Sequence, residues 1–462
     1  MCREFAPPSR GPFMLTVLGP TFRMCDGLSR RNFLKAGAFA FGTTSLTLAD
    51  VYRAEASSPA PSLAKHKGII NIFLGGGPPH QDLFDLKPDA PAEIRGEMKP
   101  IKTNVSGIEI SEVFPKLAKM MDKCAIIRSM VGASGGHDAY QCTTGFRNEA
   151  LAALGGRPSI GAVASKVLGS VDPSVPPFVG LAETTQHKEW SDPGKHGFLG
   201  ASQGAFRPSG PDLGNMTINA ANKTQMADRT LLRNRFDSLH RDLDANGSLA
   251  GVDAHTERAL NLLTSSRLLD ALDLTKEDPK IRERYGDGKP YKFQFDGAPT
   301  VNEHLLTARR LIQAGARVVS LSYGRWDSHS KNFDLVRDHG GKLDQCLSAL
   351  LWDLERLDML QDTTVVVWGE FGRTPRINKE AGRDHWPQVS CALLAGGGLK
   401  GGQIIGSTNR LGETAKDRPV TFGEVFATLY HSIGLNPETT TVTDTAGRPQ
   451  HVADGQVIKE LI

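Results

Sequence analysis

The chain has 462 residues, a formal charge of +3, 23% charged and 39% hydrophobic residues. That is enough apolar material for one large core with an insertion, or for two domains. A near-neutral balance without a basic tract argues against nucleic acid or an anionic membrane as a partner.

Residues 29–35, SRRNFLK, precede the weakly apolar run AGAFAFGTTSLTLA and then Ala54-Glu55-Ala56. Charge, apolar run and small-residue site in this order resemble a twin-arginine export signal over residues 1–56, with Met24 as an alternative start. The expectation is export through the twin-arginine machinery to the periplasm or another compartment outside the cytoplasmic membrane. Losing residues 1–56 removes seven Lys/Arg and four Asp/Glu, which leaves the remainder close to neutral. The apolar run is too short to span a bilayer, and no later segment reaches the roughly 18 residues needed, so no transmembrane segment is expected. Cys124, Cys142, Cys346 and Cys391 form no CxxC pair and read as buried small residues rather than a disulfide framework.

Residues 57–462 are read as one α/β domain. KGIINIFLGGG (67–77) is a continuous apolar run stopped by glycines, as expected of a strand covered on both faces. SEVFPKLAKMMDK (111–123) has helical spacing behind a Ser cap, and CAIIRSM (124–130) is a second buried strand. SIGAVASKVLG follows as a helix and PPFVGL as a short strand. Between about 205 and 290 the sequence turns to charged amphipathic helices joined by Gly, Asn and Ser, a helical insertion. Alternation then resumes: VNEHLLTARRLIQAGA before strand RVVSLSYG, LDQCLSALLWDLERLDML before strand TTVVVWGE, and a last strand and helix in VSCALLAGGG and VTFGEVFATLYHSIGL. No fixed-period repeat is present. The pattern predicts a doubly wound, mostly parallel sheet, whose ligands gather beyond the strand C-termini.

Three late segments carry acidic and imidazole donors beside such strands: WDSH (326–329), GEFGRTP (369–375) and GRDHW (382–386). Oxygen and nitrogen donors brought together from separate loops suggest a divalent cation, and a cation suggests ester hydrolysis. Arg373 and Arg383 flank these donors; their guanidinium forks match sulfate or phosphate, and equally suit neutralising nearby carboxylates. Trp326, Trp368 and Trp386 read as packing beside the site, with a sugar-stacking shelf as the other reading. Gly75-Gly76-Gly77 is neither a GxGxxG nor a Walker loop.

LGGGPPHQDLFDLKP, the SM…GGHDAY…TTG block, WDSH, GEFGRTP and GRDHWP together resemble the exported bacterial family known as domain of unknown function 1501. More distantly the plan is similar to the alkaline phosphatase and sulfatase superfamily, which implies an alkaline phosphatase-like core. The resemblance places the first metal carboxylate at Asp82, with His80 and Asp85 as neighbours, and further ligands at Asp327, His329, Glu370 and His385. It also shows departures. Lys331 and Phe371 stand where the superfamily has histidines, so one metal is favoured over two. Three oxygens and one nitrogen would suit Ca²⁺, Mg²⁺ or Mn²⁺, with Zn²⁺ admitted if His329 joins. Counting back from Thr144-Gly145 puts the nucleophile region at Ser134 to His137, with Ser134 as nucleophile or simple loop residue and His137 as base or extra ligand. No Cys-x-Pro-x-Arg is present, which disfavours a formylglycine sulfatase. The implied function is metal-dependent hydrolysis of a sulfate or phosphate ester, including esters on a small molecule or carbohydrate. The alternative is an exported pseudoenzyme that binds a metal or anion and acts with a partner.

Overall fold

In a computed structural model the chain divides into two compact units, Met1–Ser62 and Leu63–Ile462. The structure describes residues 40–41, 44–45, 66–182, 185, 188–208, 266–286 and 298–462. In the first unit Ala40–Phe41 pairs antiparallel with Thr44–Ser45. SRRNFLK and Ala54–Ala56 lie outside the described residues.

The second unit is built on an eight-stranded sheet. Its strands are β1 (Gly68–Gly75), β2 (Cys124–Val131), β3 (Phe178–Gly180), β4 (Val318–Arg325), β5 (Thr363–Trp368), β8 (Ser390–Gly396), β9 (Gln403–Ile405) and β10 (Val420–Thr421). A separate ribbon pairs β6 (Gly372–Arg373) with β7 (His385–Trp386). Spatial order is β9-β2-β8-β5-β1-β4-β3, with β10 also on β2. Within it β8 runs antiparallel to both neighbours and every other pairing is parallel. The sheet is therefore mostly parallel, and β1, β2, β4 and β5 all end on the same edge.

Why these residues make strands is clearest in β1, where every residue is buried. Its side chains alternate between two cores: Ile70, Ile72 and Leu74 join one, and Ile69 and Phe73 the other. Burying an isoleucine this completely contributes about 1.5–3 kcal/mol, and only a strand with helices on both faces can do so twice over. On the first face lie α5 (Glu303–Ala314) and α6 (Asn332–Arg356), through Leu305, Leu311, Leu347 and Leu351. On the second lie α2 (Ile160–Leu168) and α7 (Phe422–Ser432), through Val163, Val425 and Phe426. The protein is thus a doubly wound α/β fold. Asn71 is the polar exception in β1; its amide donates to Cys142 O at 2.9 Å and its carbonyl accepts from Trp368 Nε1 at 2.9 Å.

Two elements differ from the sequence expectation. Residues 111–123 form not an α-helix but a 3₁₀ stretch, Leu117–Lys123. Pro115 lacks a donor, and the buried Asp344 carboxylate instead accepts from the Lys116 and Leu117 N–H groups. Conversely, α6 starts eleven residues earlier than the apolar pattern at Leu343, continuing through Gly340-Gly341. Most of the expected insertion lies outside the described residues; its last part holds two short helices, α3 (Ser266–Leu272) and α4 (Pro279–Tyr285). All four described cysteines are free and buried. No helix among the described residues is long and apolar enough to cross a membrane.

Candidate metal centre

The site lies beyond the shared carboxyl edge of β1, β2, β4 and β5. His137 comes from the loop between β2 and α1 (Tyr140–Thr144), Asp327 and His329 follow β4, Glu370 follows β5, and His385 sits on β7. Antiparallel pairing of β6 with β7 sets Arg373 opposite His385, so GEFGRTP and GRDHW are held as one unit.

One carboxylate oxygen is the focus. Asp327 Oδ1 lies 3.6 Å from His137 Nε2, 3.5 Å from His385 Nε2 and 3.1 Å from His329 Nε2. Donor atoms of His137, Asp327 and His385 all fall within 4.8 Å of one another. Around a tetrahedral ion with bonds of about 2.0–2.1 Å, neighbouring donors stand about 3.3–3.4 Å apart. The three Asp327 distances straddle that value. His385 Nε2 is buried and makes no hydrogen bond, a cost that a bound ion would remove.

Two of the imidazoles are backed by carboxylates. His137 Nδ1 is 3.0 Å from Glu370 Oε1, and His329 Nδ1 is 2.7 Å from Asp384 Oδ1. An acid on Nδ1 turns Nε2 into the free donor and fixes the ring, which is how metal-binding histidines are normally oriented. Glu370 is held in turn by the N–H groups of Gly76 at 2.8 Å and Gly77 at 3.1 Å. Gly76 has φ +102, and a Cβ there would lie 2.6 Å from Asp327 N. Only glycine lets the backbone come this close.

Electrostatics follow from the geometry. Burial lowers the His137 imidazole, but Asp327 and Glu370 outweigh it and raise its pKa to about 9. Burial likewise raises the Asp327 carboxyl, yet His137, His385 and Arg373 hold it well below the usual carboxylate range. Without a cation, the cluster is an imidazolium and carboxylate network. The Phe371 ring packs 5.2 Å from His137 and 4.5 Å from His385, and Trp190 meets His137 edge-on at 4.6 Å. These rings wall the buried side, while His329, at 48% side-chain exposure, stands at the open rim.

The remaining expected residues are placed differently. Asp82 is fully buried and accepts from Arg383 Nε at 2.7 Å, Arg383 Nη2 at 3.0 Å and Asn332 Nδ2 at 2.8 Å, so it is an ion-pair partner and not a member of the cluster. Its neighbours are also occupied: His80 faces Gly412 O at 3.1 Å, and Asp85 faces Lys87 at 2.9 Å and Thr408. Glu370 is where the carboxylate was expected but acts behind His137. Arg373 and Arg383 are both 0% exposed. Arg373 spends its donors on Asp327 and the carbonyls of Gly76, Gly77 and Arg383, and Arg383 spends its own on Asp82, Ile94, Thr374 and Pro375. Anion recognition by these two arginines is therefore replaced by their neutralising role. Ser134 is exposed in its loop and donates its N–H to Gln141 Oε1 at 2.8 Å. Trp326 and Trp368 are core residues, and Trp386, half-buried, donates to Glu413 O at 2.6 Å.

Sequence reasoning missed three participants. Asp384 lies beside His385 within GRDHW, and a carboxylate next to a ligand histidine is a signal for an orienting role, here on His329. Arg325 ends strand β4 two residues before Asp327 and touches its other oxygen, Oδ2, at 3.3 Å. Trp190, in the short 3₁₀ turn Lys188–Ser191, sits in a stretch without periodicity and carried no signal at all.

No curated protein matches the sequence. Among solved structures, the lipoteichoic acid synthase LtaP from Listeria monocytogenes aligns over 92% of this chain and 92% of that chain, at 10% identity and a TM-score of 0.31. A family model described as "Protein of unknown function (DUF1501)" matches residues 66–462, almost all of the second unit. The chain belongs to that family.

Proposed function

We propose that the protein is an exported, metal-dependent hydrolase of sulfate or phosphate esters. One ion is held by His137, Asp327 and His385, with His329 joining from the rim. The observation that carries this reading is the convergence of three imidazole Nε2 atoms on one carboxylate oxygen, two of those rings being backed by acids. The donor set is richer in nitrogen than the sequence suggested. It favours Zn²⁺ or a similar transition metal over Ca²⁺ or Mg²⁺, which prefer oxygen cages.

When bound, such an ion polarises an ester oxygen and makes water a better nucleophile at neutral pH. The chain's own residues do the rest. Glu370 and Asp384 fix two rings, Arg373 holds Asp327 in place, and Phe371 and Trp190 keep water from the buried side. His137, Asp327, His329 and Glu370 follow parallel strands, where an alkaline phosphatase-like plan would put them, while Asp384 and His385 are brought in by the antiparallel β6–β7 ribbon. Export rests on SRRNFLK and Ala54-Glu55-Ala56.

Metal content measured after purification with added Zn²⁺ should reach about one ion per chain. Turnover of p-nitrophenyl phosphate, bis(p-nitrophenyl) phosphate, p-nitrophenyl sulfate or an esterified saccharide should accompany it and fall to background in Asp327→Ala and His385→Ala. The second reading, a binding protein without turnover, draws on Phe371 in place of a second-site histidine and on the buried arginines. It expects the same metal content with no hydrolysis of any ester.

A further inference from the structure

The hydrolase reading leaves the anionic group of the ester without a partner, because Arg373 and Arg383 are sealed inside the protein. We infer that Arg325 is the residue that recognises this anionic group; the inference rests on the proposed function above.

Local backbone geometry sends Arg325 to the site. Phe73 of β1 pairs with Ser322 of β4, but Gly75 pairs with Arg325, so β4 carries one extra residue at its end. Gly324 takes φ +73 there, and a Cβ on it would lie 2.7 Å from His339 Cδ2. An unbroken strand would point Arg325 to the same face as the fully buried Tyr323. A bulge re-aims the side chain that follows it.

The guanidinium then lies beside the cluster. Its Nη2 is 3.3 Å from Asp327 Oδ2, whereas the three imidazoles approach Oδ1. Its Cζ is 5.4 Å from the Trp190 ring centroid, and Trp190 also packs edge-on to His137. Unlike Arg373 and Arg383, both 0% exposed, Arg325 keeps 21% of its side chain exposed. Charge points the same way. With the imidazoles neutral as ligands, Asp327, Glu370 and Asp384 set against Arg373 and Arg325 sum to about one negative charge, and a divalent ion turns that into about one positive charge, matched to an oxyanion.

Binding of inorganic phosphate and of sulfate to Zn²⁺-loaded protein, followed by titration calorimetry, tests the assignment. Arg325→Ala is expected to weaken phosphate binding at least about tenfold while keeping one zinc per chain, and Arg325→Lys should recover part of the loss because it keeps the charge without the fork. Where esters are turned over, the effect should be mainly on KM. Should Arg325→Ala be poorly folded, Arg325→Gln keeps the size and carries the same expectation. Equal phosphate affinity in wild type and variants overturns the assignment, as does loss of zinc in step with loss of phosphate, which would mark Arg325 as a support for Asp327. Absence of phosphate and sulfate binding in the wild type overturns it too. Absence of turnover with phosphate binding still dependent on Arg325 would sink the hydrolase reading and leave this assignment standing.

Discussion

Glu370 illustrates how the site divides its labour: it touches no second imidazole, yet it decides which nitrogen His137 presents. Glu370→Gln keeps the shape and removes the charge behind the ring, so zinc affinity should fall about 10–100-fold in a competition titration, with the fold intact. A second consequence concerns protons. His137, with its pKa raised to about 9, must give up a proton to bind a cation. Apparent zinc affinity should therefore rise about tenfold per pH unit between pH 7 and 9, with proton release visible as a buffer-dependent heat. His80 shows the opposite shift. Burial lowers its pKa from 6.5 to about 4; its Nε2 donates to Gly412 O, which leaves Nδ1 as a buried nitrogen without a hydrogen bond. The unfolded chain takes up a proton that the folded chain refuses. Stability is thus full above pH 6.5 and falls as pH drops toward 4, by up to about 3 kcal/mol. In denaturant titrations at pH 7 and 4.5, His80→Gln should show a smaller difference than wild type.

Helix α7 closes the second core and begins with a complete capping box. Thr421 Oγ1 accepts from Glu424 N at 3.2 Å, while Glu424 Oε2 accepts from Thr421 N at 2.8 Å. Thr421→Ala should cost about 1 kcal/mol in urea unfolding without changing metal content. That helix was readable from VTFGEVFATLYHSIGL because Val425, Phe426 and Leu429 repeat at helical spacing. The strands were readable for a related reason: runs such as IINIFL are apolar at every position but Asn71, and only a doubly covered sheet wants that. The start of α6 was not readable. Gly340-Gly341 looks like a break, but Gly340 is where Val113 packs against the helix, with Val113 Cγ2 only 2.8 Å from where a Cβ would stand. Close packing between distant segments leaves no local trace.

Across the molecule, the segments of the candidate site were recognisable by their donors, whereas the role of each donor depended on partners far away. Asp82 and Arg383 show this best. Both sit in motif-rich stretches, and nothing local says that they are meant for each other across 301 positions. Their pairing ties the short helix His80–Leu83 after β1 to the loop before β7, with both side chains 0% exposed. Arg383→Met, which strands the buried carboxylate, should destabilise by about 3–5 kcal/mol, and Asp82→Leu added to it should recover much of that loss. The same long reach governs when the proposed cage for a cation can form. His137, Asp327 and His385 are separated by 190 and 58 positions, and the last arrives on a ribbon that needs Arg373 already in place. A growing polypeptide released before residue 385 has emerged owns two of the three donors and no socket. On the proposed reading, ion capture therefore waits until the chain has passed residue 385 and the β6–β7 ribbon has formed.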